Sequence, residues 1–270
     1  MKDLKFWKKV SSFLNQGIPL FCAIVAENTP HSPGTKGAKL ALPKKGKPFG
    51  TIGGGAMEYA VLEEGKTLLY KGDHIQPYLE HLVHRKDGSG KPSGMICSGE
   101  QTNLYFILQE KDITRVKTLI HLLEKQEKGL YRISATKGME VLEETPMFHC
   151  PSIRLMGRRD TKEWIFEEEL VNRNRIAIFG AGHCGKALSW VMEGLGYWIE
   201  LLETRQDVAT FLENHFAHRK ILLEDFEQGA SYVSFPQITF AVVMTVDQPT
   251  DVRALKGILH KPFPYIGVMG

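Results

Sequence analysis

Gly180-Ala181-Gly182-His183-Cys184-Gly185 satisfies the spacing G-x-G-x-x-G, directly after the apolar run Ile176 to Phe179 and directly before a helical pattern carrying Ala187, Leu188 and Val191. In that setting the first glycine permits a tight turn, the second lets the backbone approach a pyrophosphate, and the third lets the helix pack on the strand. The N–H groups of the helix then receive the anion. An acid about 20 residues further on completes the pattern by accepting hydrogen bonds from a ribose. Glu203, the last residue of "WIELLE", stands at that point, and Arg205 beside it suits an extra phosphate, so NAD and NADP both remain open. His183 either contacts a ligand phosphate or lines the helix start. Cys184, in the first helical turn, is either a thiolate favoured by the helix dipole or a small packing group.

A second bare stretch, Gly50-Thr51-Ile52-Gly53-Gly54-Gly55-Ala56-Met57-Glu58, sets four glycines and one acid at an apparent strand-to-helix junction. From spacing alone it reads as a tight turn, with Glu58 stabilising the first helical turn by about 0.3–1 kcal/mol. A third, "ICSGEQ", places Cys97, Gly99 and Glu100 just before a strongly β-prone run. Cys97 is either a soft ligand for a metal or a buried inert thiol.

These segments need elements to hold them. Leu4, Trp7, Val10 and Leu14 recur at helical spacing and lead into the apolar run Ile18 to Ala26; the Pro- and Gly-rich loop Asn28 to Lys39 and the short run Leu40 to Leu42 follow. Met57 to Leu69 reads as an amphipathic helix, Ile75 to Val83 as a strand, Arg85 to Ser93 as a loop, and Asp112 to Lys125 as a helix, with short strands filling Leu130 to Leu170. Polarity rises at Val171 to Arg175, and strand and helix then alternate as in a parallel sheet. Strands are expected at Ile176–Phe179, Trp198–Leu202, Ile221–Leu223, Thr239–Val246 and Tyr265–Val268, with helices at Lys186–Leu195, Val208–Phe216 and Asp251–His260. The expected fold class is therefore α/β, with a mixed α/β N-terminal domain over 1–171 and a Rossmann-like parallel-sheet domain over 172–270.

Composition narrows the function. A net charge of +3 is too mild for wholesale nucleic-acid binding. Lys36, Lys39, Lys44, Lys45 and Lys47 crowd one hairpin-like segment, read as a solvated turn or as a means of steering an anionic ligand. Cys22, Cys97, Cys150 and Cys184 contain no C-x-x-C pair, which gives neither a zinc site nor a disulfide framework and fits a reducing cytoplasm. The basic N-terminus loosely mimics a secretory signal, but Pro19 and Glu27 interrupt the apolar run, and no stretch reaches the roughly 18 apolar residues of a membrane span.

Taken together, "PHSPGTKGAKLAL", "GTIGGGAME", "ICSGEQ", "GAGHCG" and "YIGVMG" resemble, in order and across nearly the whole chain, the xanthine dehydrogenase accessory proteins of the XdhC/CoxI family. The resemblance implies a maturation factor that binds the molybdenum pterin cofactor, protects it during sulfuration and hands it to an apo-molybdenum hydroxylase of the xanthine dehydrogenase type. It implies a cytoplasmic homodimer, and a sulfurtransferase is a further expected partner. Departures are Cys97-Ser98-Gly99 for the usual C-G-G, Thr245-Val246 for the usual T-H, and the lack of the family's segment beyond "YIG", from which either a C-terminal domain truncated at its end, the favoured expectation, or a divergent member follows. On the resemblance, Gly50, Thr51, Gly53, Gly54 and Gly55 belong to the cofactor site, with Gly53 to Gly55 taking the phosphate, while Glu58 or Glu100 accepts from the N–H donors of the pterin edge. Gly99 shapes the turn and Cys97 is the candidate molybdenum contact; Gly180, Gly182, His183, Gly185, Glu203 and Arg205 line the second site.

Two other classes stay in contention. An NAD(P)-dependent oxidoreductase would use the same Rossmann half, although no catalytic constellation accompanies it. A nucleotide-sensing interaction protein would need no molybdenum ligand.

Overall fold

The computed structural model describes residues 2–72, 75–83, 91–92, 99–143 and 152–269. Contacts divide the chain into two compact units, Lys2–Val171 and Asn172–Gly270. In the first, α1 (Lys2–Leu14) buries Trp7, Val10 and Leu14 along one stripe and leads into β1 (Leu20–Asn28), β2 (Lys39–Pro43) and the short β3 (Phe49–Gly50). Next come α2 (Gly55–Lys71), β4 (Tyr78–Val83), β5 (Lys91–Pro92), β6 (Glu100–Leu108) and α3 (Ile113–Lys125). Four strands complete the unit: β7 (Gly129–Ser134), β8 (Gly138–Glu143), β9 (Ile153–Gly157) and β10 (Trp164–Glu169). One sheet runs β3-β2-β1-β6-β4-β5 and the other β8-β7-β10-β9. The strand expected from Ile75 begins only at Tyr78, directly after Pro77, which has no N–H to give a ladder.

β1 and β6 pair antiparallel at the middle of the larger sheet, and both of their faces are covered. Cys22, Ile24, Leu104 and Phe106 belong to a core shared with α1, α3 and Tyr131, Ile133 and Phe166 of the smaller sheet. Phe21, Ala23, Val25 and Tyr105 pack instead with Leu40, Ile52 and α2 residues Met57 and Val61. Burial on both sides explains why these strands read as continuous apolar runs rather than as alternation.

Lys39 departs from the solvated turn suggested by its lysine-rich neighbourhood. Its side chain is 3% exposed, and Nζ lies 2.8 Å from Asp3 of α1 and 2.8 Å from Glu168 of β10. The Gly37 carbonyl accepts a third bond at 2.9 Å, and the Tyr131 hydroxyl donates to Glu168. Burial alone would push the Lys39 ammonium down, but the two carboxylates outweigh it and hold it above its ordinary value. One cation thus connects the first helix to a strand of each sheet.

The second unit alternates as expected: β11 (Arg175–Phe179), α4 (His183–Gly194), β12 (Trp198–Glu203), α5 (Ala209–Leu212), β13 (Arg219–Leu222), β14 (Thr239–Val243), α6 (Gln248–Ile258) and β15 (Tyr265–Val268). All five strands are parallel, in the order β13-β12-β11-β14-β15. This is the Rossmann arrangement, with the reversal of strand order between β11 and β14. α5 is much shorter than the expected Val208–Phe216. The buried Asn214 ends it, its Oδ1 accepting from the Phe216 and Ala217 N–H groups while Nδ2 donates to Ser189 of α4. β14 stops before Val246 because the Thr245 N–H and hydroxyl both turn to the Asp251 carboxylate. Two 3-10 segments, Phe226–Tyr232 and Pro236–Ile238, fill the connection before β14 and had no signal in the sequence. Among the described residues no helix is long and apolar enough to cross a membrane.

Replacing Lys39 by Met is expected to destabilise the first unit by about 3–5 kcal/mol, because Glu168 is left buried without its cation. Adding Glu168→Gln should restore part of that loss. Urea unfolding of the single and double variants checks both.

Candidate functional site

Two loops and the start of β6 meet at one end of the larger sheet: the Pro- and Gly-rich loop after β1, the glycine segment after β3, and Gly99 to Gln101. Their meeting point is Gln101, which is 1% exposed. Its Oε1 accepts from the Ser32 hydroxyl at 2.9 Å and from the Gly34 N–H at 3.1 Å. Its Nε2 donates to the Ile52 carbonyl at 3.2 Å and to Asn103 Oδ1 at 2.9 Å. Close packing enforces the same arrangement, since a Cβ on Gly99 would lie 2.3 Å from the Ser32 nitrogen.

Gly50 closes the short ladder opposite Leu40, and Gly55 is the first residue of α2. Gly53 adopts φ +127°, and a Cβ there would stand 2.7 Å from the Gly34 nitrogen. Gly54, at φ +73°, faces open space instead. The Glu58 carboxylate folds back onto this turn. Its Oε2 accepts from the Thr51 hydroxyl at 2.7 Å, the Ile52 N–H at 2.9 Å and the Gly54 N–H at 3.0 Å. The Gly53 N–H is held by the Thr51 hydroxyl oxygen at 3.2 Å. The Glu58 oxygen thus braces its own loop, as the tight-turn reading of the segment has it. The N–H groups of Gly55, Ala56 and Met57, in the first turn of α2, precede the first intrahelical donor, Glu58.

Glu100 lies on the other face of the sheet, two residues before Thr102. There a cleft of about 300 Å³ is lined by Glu27, Lys36, His81, Glu100, Thr102 and Arg159, among others. His81 was not singled out in the sequence; its Nε2 stands 3.4 Å from Glu100 and its Nδ1 3.3 Å from the Thr102 hydroxyl. Arg159, from the turn between β9 and β10, pairs with Glu27 at 2.5 Å. No sequence motif joins these residues, because they come from four separate segments. Cys97 lies outside the described residues. Among the described residues no group of three His, Cys, Asp or Glu side chains is placed to hold a metal ion.

In the second unit the glycines take the positions their spacing calls for. Gly180, at φ +109°, passes so close to β14's end that a Cβ would meet the Met244 carbonyl at 2.3 Å. Gly185 lies equally tight against the Gly180 carbonyl at 2.2 Å, whereas Gly182 opens to empty space. His183 and Cys184 are exposed at the start of α4. Glu203 ends β12 as expected, yet its carboxylate turns inward. Oε2 accepts from the Ala181 N–H at 2.9 Å and from Arg205 at 2.8 Å. Oε1 accepts from the Thr204 N–H at 2.9 Å, the Arg205 N–H at 3.2 Å and Arg205 Nε at 3.0 Å. An ionised carboxylate offers about four lone-pair directions, so these donors saturate it. The expected ribose acceptor is therefore committed to the loop, and Arg205 is paired to it rather than extended toward a phosphate. Thr210, unremarked in the sequence, donates its hydroxyl to the Ala181 carbonyl and braces the loop from the other side. Burial works to raise the Glu203 carboxyl, but Arg205 and the three backbone N–H groups outweigh it and hold the acid below its ordinary range.

Comparison with known proteins places both units. A family model described as "XdhC and CoxI family" matches residues 13–79, and one described as "XdhC Rossmann domain" matches residues 176–270. Seven chains of known structure match. One is a Bacillus halodurans protein described as a xanthine dehydrogenase, with a TM-score of 0.69 and 19% identity, over 100% of this chain and 82% of that one. At that identity the likeness is one of fold. Comparison with curated proteins finds no match.

Glu203→Ala is expected to cost the second unit about 2–3 kcal/mol, since it strands buried N–H donors. Amide exchange at Ala181 and Thr204 should accelerate with it. Because the folded-state acid is held low, its contribution is complete above the ordinary glutamate range near pH 4.3 and is lost as the pH falls through the lower folded value. Acid unfolding of Glu203→Ala should lack that component.

Proposed function

The chain belongs to the XdhC and CoxI family, and on that premise we propose that it serves the maturation of a xanthine dehydrogenase-type molybdenum hydroxylase by binding the molybdenum pterin cofactor as cargo and delivering it to the apoenzyme. The observation that carries this reading is the convergence of three family-like segments on the buried Gln101 amide. Segments that lie far apart in sequence and lock around one side chain form a preorganised site rather than independent turns.

The chemistry at the sheet end suits the cargo. Gly54 leaves space above the loop, and the N–H groups of Gly55, Ala56 and Met57 in the first turn of α2 suit a phosphate. With Glu58 turned into its own loop, Glu100 is the carboxylate assigned to the N–H donors of a pterin edge. Cys97 keeps its proposed role as a contact to molybdenum. The second unit is assigned a phosphate-bearing ligand at the open face of Gly182 and His183, with NAD or NADP the first ligands to try. The expected partners are the apo-hydroxylase and a sulfurtransferase, and the carrier acts as a homodimer.

Protein produced with a molybdate supply should carry equimolar molybdenum and pterin, read by metal analysis and by pterin fluorescence after oxidation, and should pass both to an apo-hydroxylase. Gly54→Ala is the sharper test. Gly54, at φ 73° and ψ −165°, lies in an extended positive-φ region that essentially only glycine occupies, so a methyl group there costs about 1–3 kcal/mol of stability; a melt establishes that the variant is folded, and the group intrudes where the phosphate is assigned. Retained cofactor should fall below a tenth of the wild-type amount, roughly a loss of 1.4 kcal/mol or more in binding. Wild-type protein free of cofactor under these conditions would refute the carrier reading.

A further inference from the structure

The cleft on the Thr102 face is built by a local irregularity. β1 and β6 pair in regular register up to Val25 opposite Asn103, and the register then shifts so that Glu27 stands opposite Thr102 and Asn28 opposite Gln101. Directly opposed residues share a face. Without the bulge, Ala26 would face Thr102 and Glu27 would turn toward the buried Gln101 side of the sheet. The bulge therefore re-aims an acid into the cleft, a use to which bulges are put beside binding sites.

Once Glu27 is there, the cleft carries an ordered set of charges. Glu27 is paired with Arg159, and Glu100 faces His81, itself set by Thr102. These side chains are half-exposed, from 28% at Glu27 to 54% at Arg159, so a ligand can reach them. The Lys36 ammonium has no partner among the described residues, although its backbone N–H donates to Asn28. Two carboxylates that accept, two cations that attract negative charge and a volume of about 300 Å³ define a narrow class of ligand. That volume lies at the small end of ligand pockets, about 300–1,000 Å³.

We propose that this cleft is a binding pocket for a compact flat heterocycle that presents adjacent N–H donors to Glu100 and Glu27 and carries an anionic substituent toward Lys36 and Arg159. The pterin end of the cargo supplies the donor edge of this class, so the assignment rests on the carrier reading and adds Glu27, Lys36, His81 and Arg159 to the site. His81 acts as a positioning residue that holds the Glu100 carboxylate toward the ligand.

Pterin-6-carboxylate, a fluorescent heterocycle with a 2-amino-4-oxo donor edge and a carboxylate, is the probe. Quenching titrations on the full chain should give saturable one-site binding. Glu100→Gln and Arg159→Gln should each weaken it about ten- to hundredfold, the range for losing a charge-assisted hydrogen bond. Lumazine-6-carboxylate, which replaces the donor amine by a carbonyl, should bind at least about tenfold more weakly than the pterin. His81→Gln should weaken binding less than Glu100→Gln and add nothing further in the double variant, because the two act through one contact. Circular dichroism melts establish that each variant is folded. Affinities unchanged in both Glu100→Gln and Arg159→Gln, or equal affinities for the two probes, overturn the pocket. If the molybdenum cofactor is retained and transferred equally by wild type and both variants, the carrier reading stands and this pocket falls. If the probe binds with the expected variant pattern while no cofactor is ever retained, the pocket stands and the carrier reading falls.

Discussion

A buried primary amide must find partners for its oxygen and its nitrogen inside the protein, because no water is available to replace them. Gln101 meets that demand with groups from Ser32, Gly34, Ile52 and Asn103, so the shapes of the loop after β1 and the segment after β3 are set by one side chain on β6. Asn103 passes the same constraint along the strand, donating to the Tyr105 hydroxyl, which in turn reaches Glu80 of β4. This polar ladder runs under α2 within an otherwise apolar core. Its members are mutually dependent, since loss of one strands the next, and the end of the sheet is consequently held as a unit.

Each unit also carries a carboxylate that closes on its own glycine loop. Glu58 gathers the N–H groups of Ile52 and Gly54, and Glu203 gathers those of Ala181, Thr204 and Arg205. Both loops are thereby fixed before any ligand arrives, which lowers the ordering cost of binding. The same contact carries an electrostatic cost, because a fixed negative charge beneath the loop opposes an incoming phosphate. Arg205 offsets that charge in the second unit. In the first unit no arginine or lysine pairs with Glu58 among the described residues, so its charge stays uncompensated at the first turn of α2 and an anion there must be held by the N–H groups of Gly55, Ala56 and Met57 against it.

Much of the fold was legible because its signals are local. Helical spacing marks α1, α2 and α3, the glycine spacing between β11 and α4 carries the Rossmann fold, and five short segments in order carry the family resemblance. What escaped depends on contacts distant in sequence. Asn214 looks like one more polar residue until its side chain is seen capping the backbone after α5. The spacing picks out Glu58 and Glu203 as acceptors beside glycine loops, but it does not say whether a carboxylate points at a ligand or at its own backbone. The cleft was invisible for a different reason. A single extra residue in β1 rotates Glu27 by one face, and neither composition nor periodicity records such a slip.

Lys36 and Lys39 sit three positions apart in one short segment, yet they inhabit opposite environments. Lys36 borders the open cleft, whereas the Lys39 side chain is buried against Glu168 and beneath the half-exposed Asp3. An amine-reactive reagent in the folded protein meets the first and not the second. Acylation of Lys39 then becomes a clock for transient opening of the first unit, with Lys36 in the same proteolytic fragment as its internal standard.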